Sequence, residues 1–237
     1  MSEEIESESV SESVLDHSGY VHSVTGSRVN HPQPHLNGAS LPSESPTSLP
    51  DGFPDGIHDT RINSFALVSY LPDPLAAFLN HLRHHFAADC MARAHITVLP
   101  PRPLAADPRA VWRVAQTMLQ EFESFTIELG DVEVFPATQV MYIALNAGYA
   151  ELVAMHSRLN TGAIAFDEPF HYHPHITLAQ GLDPSAVQSA LVYAQRRWTE
   201  YNHSRRHVID RLTFVQNTVA NRWTDLDSLD LPTHAVR

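Results

Sequence analysis

Residues 93–99 read RAHITVL, and residues 173–179 read HPHITLA. Each segment carries a histidine, an isoleucine, a threonine and an aliphatic residue in the same order. Both are rich in residues that favour strands, and each is followed by a loop, an Asp-Pro pair and a helical pattern. The two copies lie 80 residues apart. This internal repeat predicts two related halves within one domain.

The histidine and the threonine of each copy share one face of the predicted strand, because side chains alternate between faces. His95 therefore lies beside Thr97, and His175 beside Thr177. If an approximate twofold relates the halves, the pairs meet across a cleft as two imidazoles and two hydroxyls. One His-x-Thr segment is usually a packed or surface feature, but two nearly identical copies in matching contexts favour a shared site.

This set of groups is suited to a phosphodiester. A neutral imidazole can take a proton from an attacking water or hydroxyl, and an imidazolium can donate one to the leaving oxygen. The chemistry needs one neutral ring and one protonated ring, and the unperturbed histidine pKa of about 6.5 lets both forms exist near neutrality. The threonine hydroxyls can donate hydrogen bonds to the nonbridging phosphate oxygens. This chemistry needs no metal ion and no other cofactor.

Three Asp-Pro pairs predict helix starts, because aspartate can cap the first turn and proline has no amide hydrogen to leave unpaired. They stand at 73–74, 107–108 and 183–184, and apolar residues at helical spacing follow each pair. A fourth helix is predicted over 149–159. Segments rich in β-branched and aromatic residues predict strands at 65–70, 94–99, 125–135, 140–145, 171–178, 208–215 and 223–231.

The strands alternate apolar and polar residues, which is typical of antiparallel sheets with one covered face. We therefore predict an α+β fold rather than a parallel α/β sheet. Within residues 125–135 the alternation changes phase at Gly130, as a turn or bulge would produce.

The composition divides the chain into two parts. Residues 1–60 contain 12 Ser, six Pro and ten Asp or Glu against the single Arg28, a net of about −9 out of −12. Such a leader cannot bury enough apolar surface to offset its ordering entropy, so we expect it to be disordered. Residues 61–237 are expected to form one domain with two pseudo-symmetric lobes.

All 15 basic residues are arginine, so the chain has no lysine. This excludes a Gly-Lys-Ser/Thr phosphate-binding loop, a Schiff-base enzyme and any ligase that carries a nucleotide on its own lysine. Cys90 is the only cysteine, so no intrachain disulfide is possible. The acidic start is unlike a secretory signal, and no apolar run approaches a membrane span. We expect a cytoplasmic protein without membrane contact.

The paired motifs resemble those of the 2H phosphoesterase superfamily, which includes 2′-5′ RNA ligase-like proteins and RNA 2′,3′-cyclic phosphodiesterases. The resemblance extends over about residues 65–231. It implies a bilobal α+β fold with two antiparallel sheets, flanked by helices, around a central cleft. Carried over position by position, it implies that His95 and His175 are the catalytic acid/base pair and that Thr97 and Thr177 bind the phosphate.

The resemblance also implies the activity. We expect a metal-independent hydrolase for 2′,3′-cyclic phosphates or 2′-5′-linked nucleotides and RNA ends, and the same acid/base pair can serve the reverse 2′-5′ ligation. A nucleotide or an RNA terminus is then the substrate. We expect a monomer without an obligate protein partner.

Five further residues are predicted to contact the substrate. Gln180 follows the second motif where relatives often have arginine, and Arg102 can supply the missing positive charge. Phe135, Tyr142 and Tyr172 can line the cleft and stack on a base, although aromatic residues in strands more often belong to the core.

Two other classes of function stay open. His171, His173 and His175 alternate on one face of a predicted strand and can ligate zinc, although no separate Cys/His or carboxylate cluster accompanies them. Alternatively, the cleft binds a nucleotide or an RNA end without turnover.

Overall fold

The computed structural model describes residues 60–88 and 90–233, together with two short strands near the N-terminus. These are Ser13–Leu15 (β1) and Val21–Ser23 (β2), which pair with each other antiparallel. We expect disorder for the segment 1–60. Apart from these two strands and Thr60, that segment lies outside the described residues.

The strands of the main body form two antiparallel sheets of four described strands each. In chain order they are Arg61–Tyr70 (β3), His95–Arg102 (β4), Phe125–Val134 (β5), Met141–Ala147 (β6), Ile176–Ala179 (β7), Arg206–Ile209 (β8), Arg211–Thr218 (β9) and Trp223–Asp230 (β10). The first sheet has the order β10-β9-β3-β4, and the second has the order β7-β6-β5-β8. The predicted α+β class with two antiparallel sheets is confirmed.

Four α-helices lie within the described residues: Leu75–Phe86 (α1), Pro108–Leu119 (α2), Tyr149–Leu159 (α3) and Pro184–Thr199 (α4). The predicted starts of α2 and α4 are confirmed, because Asp107 and Asp183 each accept a hydrogen bond from an amide of the first turn. Helix α1 begins at Leu75, one residue later than α2 and α4 relative to its Asp-Pro pair, and Asp73 accepts from the amide of Ala77. Of the helices described, none combines the length and the apolar character needed to cross a membrane.

Two predicted strands were wrong in their extent. The strand predicted over 171–178 begins only at Ile176, because Pro174 has no amide hydrogen to contribute to a sheet ladder. The strand predicted over 208–215 is in fact β8 and β9, which separate at Asp210 and belong to different sheets. Aspartate is poorly suited to a strand, and the Asp210 carbonyl accepts from the amide of Leu231 instead.

The irregularity predicted at Gly130 is confirmed. The pairing of β5 with β6 shifts between Leu129 and Val132. A Cβ atom on Gly130 would lie 2.5 Å from Oδ1 of Asn146, so glycine leaves room here for the Asn146 side chain of β6. The Gly130 carbonyl also accepts from the indole of Trp198, which ties this bulge to α4.

One continuous apolar core extends through both sheets and all four described helices. Its fully buried members include Leu79, Ile96, Ile127, Leu152 and Ile176. Strands β4 and β7 are edge strands of their sheets, and they contact each other. The fold therefore brings the two His-x-Thr segments to the junction between the two sheets.

Candidate active site

A cavity of about 610 Å³ lies at the junction between β4 and β7. Its wall contains His95 and Thr97 from the first segment and His175 and Thr177 from the second. The structure thus brings both predicted pairs into one cavity. In the second segment the histidine stands immediately before the strand rather than within it.

The two histidines are held in the same way. Nδ1 of His95 lies 2.6 Å from the carbonyl oxygen of Arg93, and Nδ1 of His175 lies 2.7 Å from that of His173. A carbonyl oxygen only accepts, so Nδ1 carries the hydrogen in each ring. The Nε2 atom of each neutral ring then has the lone pair that can take a proton.

The second pair also contains an internal hydrogen bond. Nε2 of His175 lies 3.1 Å from Oγ1 of Thr177, whose hydroxyl donates to the ring lone pair. The proton-accepting nitrogen of His175 is therefore satisfied by its neighbouring threonine in this state.

Burial lowers the pKa of both histidines to about 4, although each ring is only partly buried by surface area. The positive charge of Arg83 lowers the pKa of His95 further, and the hydrogen bond to the Arg93 carbonyl raises it in part. Both rings are thus neutral at pH 7 without ligand, and the pair predicted for catalysis, one ring neutral and the other protonated, stays a prediction.

Two arginines that the sequence interpretation missed line the cavity, Arg83 and Arg93. The guanidinium of Arg93 lies 3.6 Å from the centre of the Tyr70 ring and pairs with Asp225. Arg83 is buried and donates to the carbonyl of Arg93, the same oxygen that holds His95. A signal for Arg93 was present, since it precedes His95 by only two residues in the sequence.

The prediction that Arg102 contacts the substrate was wrong. Arg102 is 2% exposed, and its guanidinium is bound by Asn160, by the carbonyl of Ile164 and by the carboxylate of Glu168. A buried guanidinium needs a negatively charged partner to offset the cost of removing its charge from water. Glu168 provides that negative charge. The sequence did not reveal this partner, because it lies 66 residues away.

Of the aromatic residues predicted to contact the substrate, Phe135 and Tyr142 have different positions relative to the cavity. Phe135 lies in the cavity wall, whereas Tyr142 is 4% exposed and is not among the described wall residues. The two rings stack with centroids 3.9 Å apart, and the Tyr142 hydroxyl donates to Glu133. Tyr142 therefore packs against Phe135 and does not face the cavity. This corrects the prediction that Tyr142 contacts the substrate.

Tyr172 and Gln180, the remaining predicted contacts, both lie in the cavity wall. The hydroxyl of Tyr172 donates to the carbonyl of Thr97 over 2.7 Å. One face of its ring stacks on His156 with centroids 4.0 Å apart. A base can therefore reach at most the other face of this ring.

The alternative of a histidine-based metal site meets no support in the described part of the chain. The residues from His171 to His175 do not form a strand, so the predicted alternation on one face does not occur. No group of three or more His, Cys, Asp or Glu side chains among the described residues is arranged to hold a metal ion.

Comparison with known proteins gives matches in sequence family and in fold. Residues 71–221 match the family model of the 2′-5′ RNA ligase superfamily. A crystal structure described as a phosphoesterase superposes with a TM-score of 0.50 at 16% identity, over 72% of this chain and 99% of its own. Apo LigT from E. coli gives 0.49 at 17% identity, over 72% and 98% of the two chains. E. coli LigT complexed with 3′-AMP gives 0.48 at 16% identity, over 71% and 98%. No curated protein sequence matches the chain.

Proposed function

The chain belongs to the 2′-5′ RNA ligase superfamily, and we propose that it is a metal-independent phosphodiesterase acting on a 2′,3′-cyclic phosphate or a 2′-5′ linkage of a nucleotide or RNA end. The observation that carries this proposal is the matched pair of Nδ1–carbonyl bonds. These bonds leave the Nε2 atoms of His95 and His175 as the nitrogens that can exchange protons within one cavity.

We infer that the two histidines act as base and acid. A bound phosphate anion raises the pKa of a nearby imidazole, so one ring gains a proton when substrate occupies the cavity. The neutral ring takes a proton from water as the water oxygen forms its bond to phosphorus. The bond from phosphorus to one ribose oxygen breaks, and the protonated ring donates its proton to that oxygen. With a 5′ hydroxyl in place of water as the nucleophile, the same two proton transfers would join a 2′-5′ linkage, as the bond from phosphorus to the 3′ oxygen of a cyclic phosphate breaks.

The remaining groups of the cavity suit a phosphate. The hydroxyls of Thr97 and Thr177 can donate hydrogen bonds to nonbridging oxygens as negative charge builds on them. Arg83 and Arg93 line the same cavity and contribute positive potential, although each also has a protein partner. Phe135 and Gln180 in the wall are the residues we propose to contact the nucleoside.

One screen tests the proposal. The wild-type protein and the His95→Ala, His175→Ala double variant are incubated with 2′,3′-cyclic nucleotides, 2′-5′-linked oligonucleotides and ADP-ribose cyclic phosphate. We expect turnover of at least one class by the wild type and a loss of at least about 10²-fold in the double variant. Binding without turnover would instead identify a nonenzymatic nucleotide-binding module, and equal turnover by the folded double variant would refute the histidine mechanism.

A further inference from the structure

A direct hydrogen bond joins the two segments that carry the histidines. Tyr172 precedes His175 by three residues, and its hydroxyl donates to the carbonyl of Thr97, two residues after His95. Strand β4 is an edge strand, so the outer carbonyls along it have no neighbouring strand to pair with. One of them is bound by Tyr172, which thereby connects the two halves of the cavity.

The ring of Tyr172 is itself held in place. It stacks on the imidazole of His156 with the two planes inclined by 4°. Nε2 of His156 lies 2.8 Å from Oε1 of Glu168, and the same oxygen accepts from Arg102. The side chains of Arg102 and Glu168 are 2% and 8% exposed, so this ion pair is shielded from solvent. The hydroxyl of Tyr172 therefore points at Thr97 from a rigid support.

This group of residues contacts β4 twice. Tyr172 binds the backbone at Thr97 in the first part of the strand, and Glu168 binds the side chain of Arg102 at its end. His156 lies on α3, and Glu168 and Tyr172 lie in the segment that leads to His175. The position of β4 is thus coupled to the position of the second motif at two separate points.

We infer that Tyr172 is a positioning residue, whose hydroxyl sets the separation of the two His-x-Thr pairs by tying Thr97 to the segment before His175. The catalytic part of this inference rests on the proposed phosphodiesterase function. Acid/base catalysis across one phosphorus requires both rings in place at once, and a displacement of about 1 Å can cost about 10²-fold in rate. Loss of the tether therefore lowers kcat more than it weakens substrate binding.

The test compares Tyr172→Phe, which removes only the hydroxyl, with Tyr193→Phe, whose ring stacks on His85 on α1 and is not among the described wall residues. Two measurements are made on each full-length protein. Hydrogen–deuterium exchange of the peptide covering β4 reports the tether without any need for activity. Values of kcat and KM, for whichever substrate the wild type turns over, report its effect on catalysis.

For Tyr172→Phe we expect β4 amides to exchange about 5-fold faster, the factor that corresponds to the loss of one ordinary hydrogen bond. We expect kcat to fall about 10- to 100-fold with KM within about 3-fold of wild type. Tyr193→Phe should change neither measurement. Unchanged exchange in β4, or a raised KM with an unchanged kcat, would overturn the inference. A wild type without turnover would refute the proposed function, and the exchange measurement would still decide whether the tether exists.

Discussion

Oγ1 of Thr177 lies 3.1 Å from Nε2 of His175. In the substrate-free protein the hydroxyl that we propose to bind phosphate is therefore hydrogen-bonded to the nitrogen that we propose to carry a proton. Under the proposed mechanism substrate binding breaks this bond, because the hydroxyl would turn to a phosphate oxygen and the nitrogen would exchange its proton. The bond keeps a partly buried nitrogen satisfied until substrate arrives.

The threonine hydroxyls should matter for the rate rather than for the fold. We expect Thr97→Ala and Thr177→Ala each to lower kcat by about 10²-fold, because each removes a donor to the charge that develops on the phosphate. Serine at either position keeps the hydroxyl and should retain most of the activity. Thr199→Ala is a suitable control, since Thr199 bonds only to the backbone of α4 among the contacts described. Equal rates for the alanine and serine variants would contradict the proposed role.

The histidines should be neutral in the ligand-free protein at pH 7. Their pKa values are lowered to about 4, mainly by burial, so NMR titration of the ring signals should show protonation only near that pH. Saturating inorganic phosphate should raise at least one of the two values, because an anion favours the imidazolium. Titration of both rings near pH 6.5 without ligand would show that the cavity is more hydrated than the structure indicates.

The same lowered pKa values predict a dependence of stability on pH. Between pH 6.5 and about 4 the unfolded chain binds protons at these two positions and the folded protein does not. The free energy of unfolding should therefore fall as the pH decreases through this range. Chemical denaturation of the wild type and of a His95→Ala variant at several pH values checks this, since the variant should show the shallower decrease attributable to that residue. Parallel curves would contradict it.

Arg102 should contribute to stability and not to substrate affinity. Arg102→Met leaves the Glu168 carboxylate buried without its cationic partner, and we expect a loss of about 3–5 kcal/mol in the free energy of unfolding. The KM of the folded fraction should stay within about 2-fold, an ordinary margin for a residue that does not touch the ligand. Arg211→Met, which breaks a solvent-exposed pair with Asp230, should leave the stability nearly unchanged. A stable Arg102→Met variant with a raised KM would restore the interpretation made from the sequence.

Activity should not depend on an added or copurified metal ion. The proposed proton transfers use only imidazole nitrogens, and the proposed charge stabilisation uses hydroxyls and arginines. Turnover should therefore be the same after extensive dialysis against EDTA, with a known metal-dependent phosphodiesterase inactivated in parallel. Loss of turnover in EDTA that returns with one added divalent ion would contradict the mechanism.

Residues 61–237 should fold and function without the acidic leader. A pair of three-residue strands such as β1 and β2 is only marginally stable by itself, and the acidic, serine-rich composition of the leader favours disorder. We expect a variant that begins at Thr60 to keep its melting temperature within about 2 °C and its kcat unchanged. A clear drop in either quantity would show that the leader packs on the domain.

The sequence predicted those parts of the fold that depend on local chemistry. Asp107 and Asp183 cap their helices because short-range hydrogen bonds decide helix starts, and Gly130 disturbs a strand because it lacks a side chain. The repeat also predicted that His95 and His175 meet in one cavity. They do so because the two copies lie at edge strands of the two sheets, β4 and β7.

The features that sequence reasoning missed depend on distant partners. Arg102, for example, is bound by Glu168, 66 residues away. The pKa of His95 is set by burial and by Arg83, and neither can be read from the residues adjacent to the motif. The break at Asp210 went unnoticed because strand propensity does not report which sheet a segment joins.

The order of the strands has a consequence for biosynthesis. The sheet that contains β7 is made from one uninterrupted stretch, β5 to β8, whereas the sheet that contains β4 combines β3 and β4 with β9 and β10. A strand can pair only with a neighbour that has already been synthesised, so all four strands of the sheet that contains β7 exist before β3 can meet its neighbour β9. The sheet that carries the first motif of the chain is therefore the later of the two to receive its last strand.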